Sequence, residues 1–168
     1  MPAFTESQPG SPAITIRRAV ADDAPAIVSL LYESFLEYES LYTVEGFAAT
    51  VISESEAIDR MHDGAVFVTT MNSKVVGTVA IVPKGESLYI RGMAVHPSAR
   101  GQRLGGQLLG YVEKLAIDQG VRRLLLSTTP FLERAIRLYK SFGFERTDEG
   151  PHDLHGTPLL TMRKLLRP

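Results

Sequence analysis

The stretch "HPSARGQRLGGQLLGYVEKLA", residues 96–116, opens an otherwise amphipathic helix with glycines and basic side chains. Its glycines are Gly101, Gly105 and Gly106, and the polar and basic residues beside them are Arg100, Gln102 and Arg103. Glycine costs about 1 kcal/mol relative to alanine inside a helix, so its use here needs a physical reason. A helix N-terminus carries unpaired N–H groups and a partial positive charge, and small residues let an anion reach them. The stretch therefore predicts a pyrophosphate cradle; the alternative is close packing of the helix on a strand, with the arginines in solvent.

Hydrophobic periodicity around this stretch predicts a mixed α+β fold. Alternating β-branched residues indicate strands, and apolar residues every three or four positions indicate helices. The predicted elements, in chain order, are a strand at 13–20, helices at 22–35 and 53–62, a three-strand meander at 65–71, 74–82 and 87–95, a helix from 104 that Gly120 ends, a strand at 121–128, a helix at 132–143, and closing strands at 144–147 and 158–166. Asp22 and Asp23 are expected to cap the first helix. A mixed sheet with helices over its faces accounts for this order.

Length, charge and composition narrow the classes of function. The chain has 168 residues, a formal net charge of −1 and no cysteine. This length fits one domain at 13–168 after a loose tail at 1–12. Net acidity argues against a nucleic-acid-binding face, and no run of about eighteen apolar residues occurs, so we expect no membrane span and a cytoplasmic location. Because cysteine is absent, thiolate metal sites and a cysteine nucleophile are excluded.

The cradle lacks the spacing of two familiar phosphate-binding loops. No Gly-Lys-Ser/Thr follows it, as a P-loop requires, and no G-x-G-x-x-G follows an early strand, as a dinucleotide-binding fold requires. The stretch resembles instead the acyl-CoA-binding motif of the GNAT N-acetyltransferase superfamily: Arg or Gln, two residues, Gly, one residue, and Gly or Ala, after a strand ending in V-x-P. Val95 and Pro97 precede the motif here, and Arg103 replaces its first glycine, so the turn must suit a residue with a Cβ.

A second resemblance to the same family lies later in the chain. The segment "AIRLYKSFGFE", residues 135–145, resembles the family pattern A-x-x-L-Y-x-x-x-G-F. Together with the opening strand and helix, the resemblance extends from about Ile14 to Leu166. It implies a GNAT fold, with a central, mostly antiparallel sheet of about seven strands flanked by about four helices. It also implies acetyl-CoA as cosubstrate and no metal.

The resemblance implies a cofactor site along one strand and the cradle. In the family, the last meander strand diverges from the next parallel strand, and the pantetheine arm pairs with the backbone in the gap. The residues implied in cofactor binding are Met93, Ala94, Val95, Arg100, Gly101, Gln102, Arg103, Leu104, Gly105 and Gly106. Leu132 replaces the family's asparagine, so Thr128, or alternatively Thr129, is expected to supply that contact. We also expect a bulge at Arg91 and Gly92, because glycine within a strand marks a bulge or close packing.

Direct attack of an amine on a thioester needs an acid for the leaving thiolate and a route for the amine proton. The family places a tyrosine near the sulfur, which implies Tyr139 as the general acid; a core aromatic of the helix is its other role. Many members carry a glutamate on the last meander strand, where this chain has Tyr89. The candidates for the base are Glu33, Glu37, Glu86, and water that relays a proton from Tyr89 or a backbone carbonyl.

Two further segments are expected near the acceptor amine. The segment "SFLEYESLYTV", residues 34–44, walls the acceptor pocket in the family, and its tyrosines and glutamates favour a cationic amine. The segment "PHDLHGTPL", residues 151–159, contains His152, Asp153 and His155. No third strong metal ligand lies nearby, so we expect a loop that lines the acceptor site or is simply solvated, and no metal site.

These observations predict an acetyl-CoA-dependent N-acetyltransferase that acts on a small-molecule amine or an amino-acid-like acceptor. The alternative acceptor is a protein N-terminus or lysine. An alternative of another class is a non-catalytic acyl-CoA sensor, which the missing glutamate and asparagine favour and Tyr139 opposes. The closing strand at 158–166 could serve in a homodimer, and no nucleic-acid or membrane partner is expected.

Overall fold

The computed structural model describes residues 13–167, so the predicted tail at 1–12 lies outside the described residues. Within this range the α-helices are α1 (Ala24–Phe35), α2 (Val44–Thr50), α3 (Glu54–Asp63), α4 (Leu104–Asp118) and α5 (Glu133–Ser141). The strands are β1 (Ile14–Arg18), β2 (Ala65–Met71), β3 (Lys74–Lys84), β4 (Ser87–Val95), β5 (Arg123–Thr128), β6 (Glu145–Thr147), β7 (Asp153–Leu154), β8 (Thr157–Pro158) and β9 (Leu160–Leu165). Short 3-10 turns occupy Ala21–Asp23, Leu36–Leu41 and Pro97–Ala99.

Seven strands form one sheet in the order β1-β2-β3-β4-β5-β9-β6. Strands β4 and β5 are its parallel pair, and the other neighbours in this order pair antiparallel. The α4 crossover from β4 to β5 accounts for that pair, because parallel neighbours need a long connection. The predicted mixed, mostly antiparallel sheet is confirmed.

The sheet is covered by helices on both faces. Along β2, Ala65 and Phe67 belong to the core cluster that α4 and α5 complete. Val66 and Val68 alternate with them and belong to the cluster formed with α1 and α3. This period of two follows from the strand pleat, which sends successive side chains to opposite faces.

Strand β4 carries the irregularity that creates the site. Its pairing with β5 runs from Ser87 to Ile90 and goes no further, so the rest of β4 diverges from β5. The register with β3 also shifts after Arg91, where Gly92 and Met93 oppose a single residue. Gly92 has a φ of +58°, a left-handed conformation that glycine adopts without the steric penalty of a Cβ. The predicted bulge is therefore confirmed.

Two short elements are absent from the sequence prediction. Helix α2 lies in the segment expected to be only a connection, and it begins where the Thr43 hydroxyl accepts a hydrogen bond from the Gly46 N–H. The hairpin β7–β8 lies in the 151–159 loop. Both elements are too short for a hydrophobic period to reveal them. The count of α-helices among the described residues is thus five rather than about four.

The expected capping of α1 by Asp22 and Asp23 is wrong. The Asp23 carboxylate accepts the Val20 N–H at 2.8 Å, which closes the preceding 3-10 turn, and makes no side-chain cap to α1. It also accepts two bonds from the Arg17 guanidinium, each at 2.8 Å. This bidentate bond lowers the pKa of Asp23. Asp23 therefore joins the start of α1 to β1.

None of the helices in residues 13–167 has the length and apolar character that a membrane span requires.

Candidate active site

Two cavities open where β4 diverges from β5. The larger, about 870 Å³, lies between the end of β4 and the first turns of α4 and α5. The smaller, about 310 Å³, lies on the other side of the β4 bulge. Four residues line both cavities: Phe35, Met93, Leu132 and Tyr139. These side chains mark where the two cavities meet.

The larger cavity contains most of the predicted cofactor residues. Its lining includes Met93, Ala94, Val95, Arg100, Gly101, Arg103, Leu104, Gly105 and Gly106. Two predicted residues are not in this lining: Gln102 is exposed, and Thr128 lines the smaller cavity. Most of the motif residues therefore lie together at one cavity, whereas Thr128, expected to replace the asparagine contact, lines the other.

The first turn of α4 has the form of an anion-binding helix terminus. Arg103 precedes it with φ +60° and ψ +25° and provides no side-chain cap, and Gly101 has a φ of +83°. A residue with a Cβ thus adopts the left-handed turn at the position of the missing motif glycine. Uncapped N–H groups at the start of a 15-residue helix are a favourable site for a phosphate.

The two glycines inside α4 differ in what surrounds them. A Cβ on Gly105 would lie 2.9 Å from Leu138 Cδ2 and 3.4 Å from Met93 Cε. A Cβ on Gly106 would lie 3.6 Å from Phe142, which is ordinary contact. Gly105 therefore serves close packing of α4 on α5 and also lines the larger cavity, so the packing interpretation holds at this position and the cradle interpretation stays a prediction.

Basic side chains surround the cradle. Arg100, Arg103 and Arg134 line the larger cavity. The Arg100 guanidinium pairs with the Glu37 carboxylate in the 3-10 turn that follows α1. Sequence reasoning did not single out Arg134; its position four residues before Leu138, on the same face of α5, was the available signal.

Tyr139 is buried at the junction of the two cavities, with 7% of its surface exposed. Burial raises the pKa of Tyr139 to about 12, and the nearby Tyr42 adds to the shift. The phenol is therefore protonated at neutral pH and available as a proton donor. Its ring also packs against Phe144, with centroids 5.9 Å apart, so it serves the core as well.

The carboxylates considered as the base lie outside both cavities. Glu33 contacts His96, with Oε2 2.5 Å from Nε2, and Glu37 is engaged by Arg100. Glu86 is exposed in the turn between β3 and β4. Tyr89 does line the smaller cavity. In the part of the chain that the structure describes, no Asp or Glu lines either cavity.

The wall of the smaller cavity comes from distant segments. Tyr42 packs edge-on against Phe131, with centroids 4.9 Å apart, and both are held near the start of α5. Leu154 and Leu159 contribute from the β7–β8 region, so part of the 151–159 segment does line this cavity. His152 and His155 are exposed and are not in the lining. Residues 13–167 contain no cluster of three or more side chains suited to a metal ion.

Aromatic side chains of the 34–44 segment, Phe35 and Tyr42, line the smaller cavity, but the glutamates of that segment do not. Glu37 and Glu39 do not line the smaller cavity, whereas Arg60 from α3 and Arg91 from β4 do. The Arg91 guanidinium is 3.4 Å from Asp63, and its Nε is buried without a hydrogen-bond partner among the described residues. Sequence reasoning missed Arg60, although its place three residues after the buried Ala57 puts it on the inward side of α3.

Comparison with known proteins identifies the family. The family model described as Acetyltransferase (GNAT) matches residues 27–144. The uncharacterized N-acetyltransferase YjgM of Escherichia coli K12 is 30% identical over 148 residues, which cover 83% of this chain and 86% of that protein.

Two solved structures share the fold. The PaiA N-acetyltransferase of Thermoplasma acidophilum, in complex with coenzyme A, has a TM-score of 0.80 at 16% identity and covers 92% of this chain and 99% of its own. The ribosomal-protein-S18-alanine N-acetyltransferase of Escherichia coli has a TM-score of 0.73 at 20% identity, with 91% and 94% covered. The chain described here therefore belongs to the GNAT family and is an N-acetyltransferase.

Proposed function

We propose that this enzyme transfers the acetyl group of acetyl-CoA to the primary amine of a small-molecule or amino-acid-like acceptor. The donor occupies the larger cavity and the acceptor the smaller. The observation that carries the proposal is that both cavities reach Tyr139, a buried and protonated phenol. Two substrates bound on either side of one proton donor are positioned for direct transfer.

The larger cavity fits the donor on the chemistry of its lining. The uncapped start of α4 and the guanidinium groups of Arg100, Arg103 and Arg134 suit the phosphates of coenzyme A. The divergent part of β4, Met93 to Val95, leaves backbone groups that β5 does not pair. These groups suit the amide-bearing arm of the cofactor, which would lie beside the strand.

When bound, acetyl-CoA supplies a thioester whose carbonyl carbon bonds to the amine nitrogen while the carbon–sulfur bond breaks. Tyr139 gives its proton to the departing sulfur and regains one from solvent afterwards. The bulge at Gly92 and Met93 leaves unpaired backbone that suits the thioester oxygen. We assign most of the rate enhancement to holding the two reactants together, because positioning can accelerate a reaction more than a single general acid can.

The amine must also lose a proton. Tyr89 lines the acceptor cavity, and we propose that its hydroxyl passes the proton to water. Glu33 stays the carboxylate candidate for this role, although it contacts His96 and lies outside the cavity lining. The lack of a lining carboxylate among the described residues favours a second candidate function, a non-catalytic acyl-CoA sensor.

One experiment separates these two functions. Thiol release from acetyl-CoA is measured with a panel of amines, amino acids and peptides for the wild type, Tyr139→Phe and Tyr111→Phe. Tyr111 is partly exposed, packs on Phe67 and lines neither cavity, so it is the matched control. Calorimetry measures CoA binding in parallel.

We expect amine-dependent release that Tyr139→Phe lowers by roughly 10² to 10⁴ while CoA binding persists. CoA binding without release for any acceptor would favour the sensor. Release with peptides alone would favour a protein N-terminus or lysine as acceptor. A cytoplasmic location and a homodimer stay predictions.

A further inference from the structure

The smaller cavity contains more positive charge than its own side chains neutralise. Its lining includes two guanidinium groups, from Arg60 and Arg91. Among the described residues no carboxylate lines it. Its other polar groups are the neutral side chains of Tyr42, Thr50, Tyr89, Ser127, Thr128, Thr129 and Tyr139.

Arg60 has no partner for its charge within residues 13–167, since it forms neither an ion pair nor a side-chain hydrogen bond there. Its side chain runs along the small apolar gap between Ile27, Leu31 and Ala57. Its Nη1 reaches the β4 bulge, where a Cβ on Gly92 would collide with it. Gly92 thus leaves the space through which the guanidinium enters the cavity.

The neighbours of Arg60 do not compensate for its burial. Burial lowers the pKa of Arg60 and the positive charge of Arg91 lowers it further, whereas Glu56 and Tyr89 raise it by less than this, so the pKa stays below its usual value. The nearest acid of Arg91 is Asp63, a side chain that is 61% exposed. Because guanidinium remains charged in proteins, this arrangement leaves a partly desolvated cation with no carboxylate of residues 13–167 in direct contact.

Two polar atoms in the same lining residues also lack partners. Arg91 Nε and Thr129 Oγ1 are buried and form no hydrogen bond among the described residues. Thr129 is 2% exposed, so bulk water does not reach its hydroxyl; the Tyr42 hydroxyl lies near it, and this contact lowers the pKa of Tyr42 against the effect of burial. Buried polar groups in native proteins are normally hydrogen-bonded, and a cavity surrounded by unsatisfied donors suits a ligand with acceptor oxygens.

We propose that Arg60, with Arg91 beside it, binds a carboxylate of the acceptor, so that the substrate is a small amino acid bearing both the reacting amine and an anionic group. This inference rests on the proposed function and narrows its acceptor class. A carboxylate offers two oxygens to the planar guanidinium fork and is the smallest organic anion that does so. A volume of about 310 Å³ is at the lower end for a small-molecule site, which suits a compact acceptor.

The test compares acceptors that differ only in the anionic group. Glycine, β-alanine and 4-aminobutyrate are each paired with their carboxamide, and with the aminoalkylphosphonate of equal length. Because the three acids differ in the distance between amine and carboxylate, the preferred one indicates how far the reacting nitrogen lies from the guanidinium. Values of kcat and KM are determined for the wild type, Arg60→Gln, Arg60→Lys and Arg134→Gln.

For the wild type we expect kcat/KM to favour at least one acid over its carboxamide by roughly 100-fold, because an unpaired buried charge penalises the neutral analogue. Arg60→Gln removes this preference, mainly through KM, and Arg60→Lys restores part of it. Arg134→Gln is the matched control from the larger cavity; it weakens CoA binding but leaves the acid-to-amide ratio as in the wild type.

Equal kcat/KM for acids and carboxamides, or a preference that survives Arg60→Gln, would overturn the inference. A preference for phosphonates over carboxylates would keep the anion site and replace the substrate class. If CoA binds but no acceptor turns over, the proposed function fails, and calorimetry of the same acids on the enzyme–CoA complex decides this inference separately. Binding that Arg60→Gln abolishes would support it, and equal or absent binding in both proteins would overturn it.

Discussion

The larger and the smaller cavity share Tyr139 but are built from the chain in different ways. The larger one draws most of its lining from residues 93–106, a continuous segment in which a strand ends and a helix begins. The smaller one combines α1, α2, α3, β4, β5 and the β7–β8 region. A continuous segment can carry a sequence motif, whereas scattered residues cannot. The sequence therefore predicts the proposed donor site, whereas the proposed acceptor site arises only from the fold.

The largest effect is expected at Gly92, in the strand that separates the two cavities. Alanine there must adopt a left-handed φ and must displace the Arg60 guanidinium. We expect Gly92→Ala to lower kcat/KM at least ~100-fold, because small displacements of reacting groups have large effects. The free energy of unfolding should fall by roughly 1–3 kcal/mol.

Gly85→Ala is the matched control for this variant. Gly85 has a φ of +61° in the turn after β3, and its Cβ would meet nothing within 4 Å. Alanine at position 85 therefore has the backbone strain of a left-handed φ but no steric clash. Similar activity in the two variants, measured in the thiol-release assay, would show that the Gly92 bulge does not couple the cavities.

The next effect concerns Tyr139, which belongs to both cavities. Its pKa of about 12 in the folded state exceeds the value of roughly 10 for an exposed tyrosine. The resulting stabilisation is fully present below pH ~10 and is lost as the pH rises toward 12, since the unfolded chain ionises first. We expect the free energy of unfolding to fall by roughly 3 kcal/mol in this window, and Tyr139→Phe should abolish this pH dependence.

Urea unfolding at several alkaline pH values measures this slope. Absorbance of the phenolate gives a direct check, because Tyr139→Phe should lack one of the latest tyrosines to ionise. Identical slopes for the two proteins would mean that the phenol is more solvated than its burial indicates.

A smaller effect is expected at the edge of the larger cavity. The Glu37 carboxylate engages Arg100 and competes with a phosphate for it. Because the pair is partly exposed, we expect Glu37→Gln to tighten CoA binding only two- to fivefold, by roughly the strength of a surface ion pair. Calorimetry at low and high salt measures it, and the gain should shrink as salt screens the charges.

Glu33→Gln is the matched variant, since Glu33 lies one helical turn earlier on α1 and contacts His96 instead. Its CoA affinity should match that of the wild type. Glu33 would be identified as the base, in place of Tyr89, by two results together. Turnover would drop by roughly two orders of magnitude, as expected for a lost general base, and the acidic limb of the pH profile would disappear. Weaker CoA binding in Glu37→Gln would mean that the ion pair positions Arg100 for the cofactor.

The smallest effects concern the free energy of unfolding and compare a tightly packed glycine of α4 with an open one. Gly110 has open space around it, so Gly110→Ala should stabilise the protein by up to about 1 kcal/mol through helix propensity. Gly105→Ala should gain less, or lose slightly, because its Cβ would press on Leu138. Denaturant unfolding measures both, and equal gains would show that Leu138 moves aside at no cost.

The strands at 65–71 and 87–95 follow from runs of β-forming residues between turn signals, and the helix beginning at Leu104 follows from its period near 3.6. The bulge at Gly92 followed from the known use of glycine in strands. Helix α2 and the β7–β8 hairpin were missed, because their few residues are stabilised by contacts across the chain, such as the Thr43 hydroxyl donating to the His155 carbonyl at 2.7 Å.

The sequence by itself determined the family and the sheet with its helices, and it located residues 100–106 as the proposed anion cradle, because these features depend on local spacing. Only the tertiary structure decided the chemistry of the acceptor side. In the fold, Glu37 pairs with Arg100 and does not line the smaller cavity. Arg60 reaches the β4 bulge from α3, so the charged side chains that line this cavity are arginines rather than glutamates. The physical reason is that charge in a cavity is summed over side chains far apart in the chain, and no local pattern reports that sum.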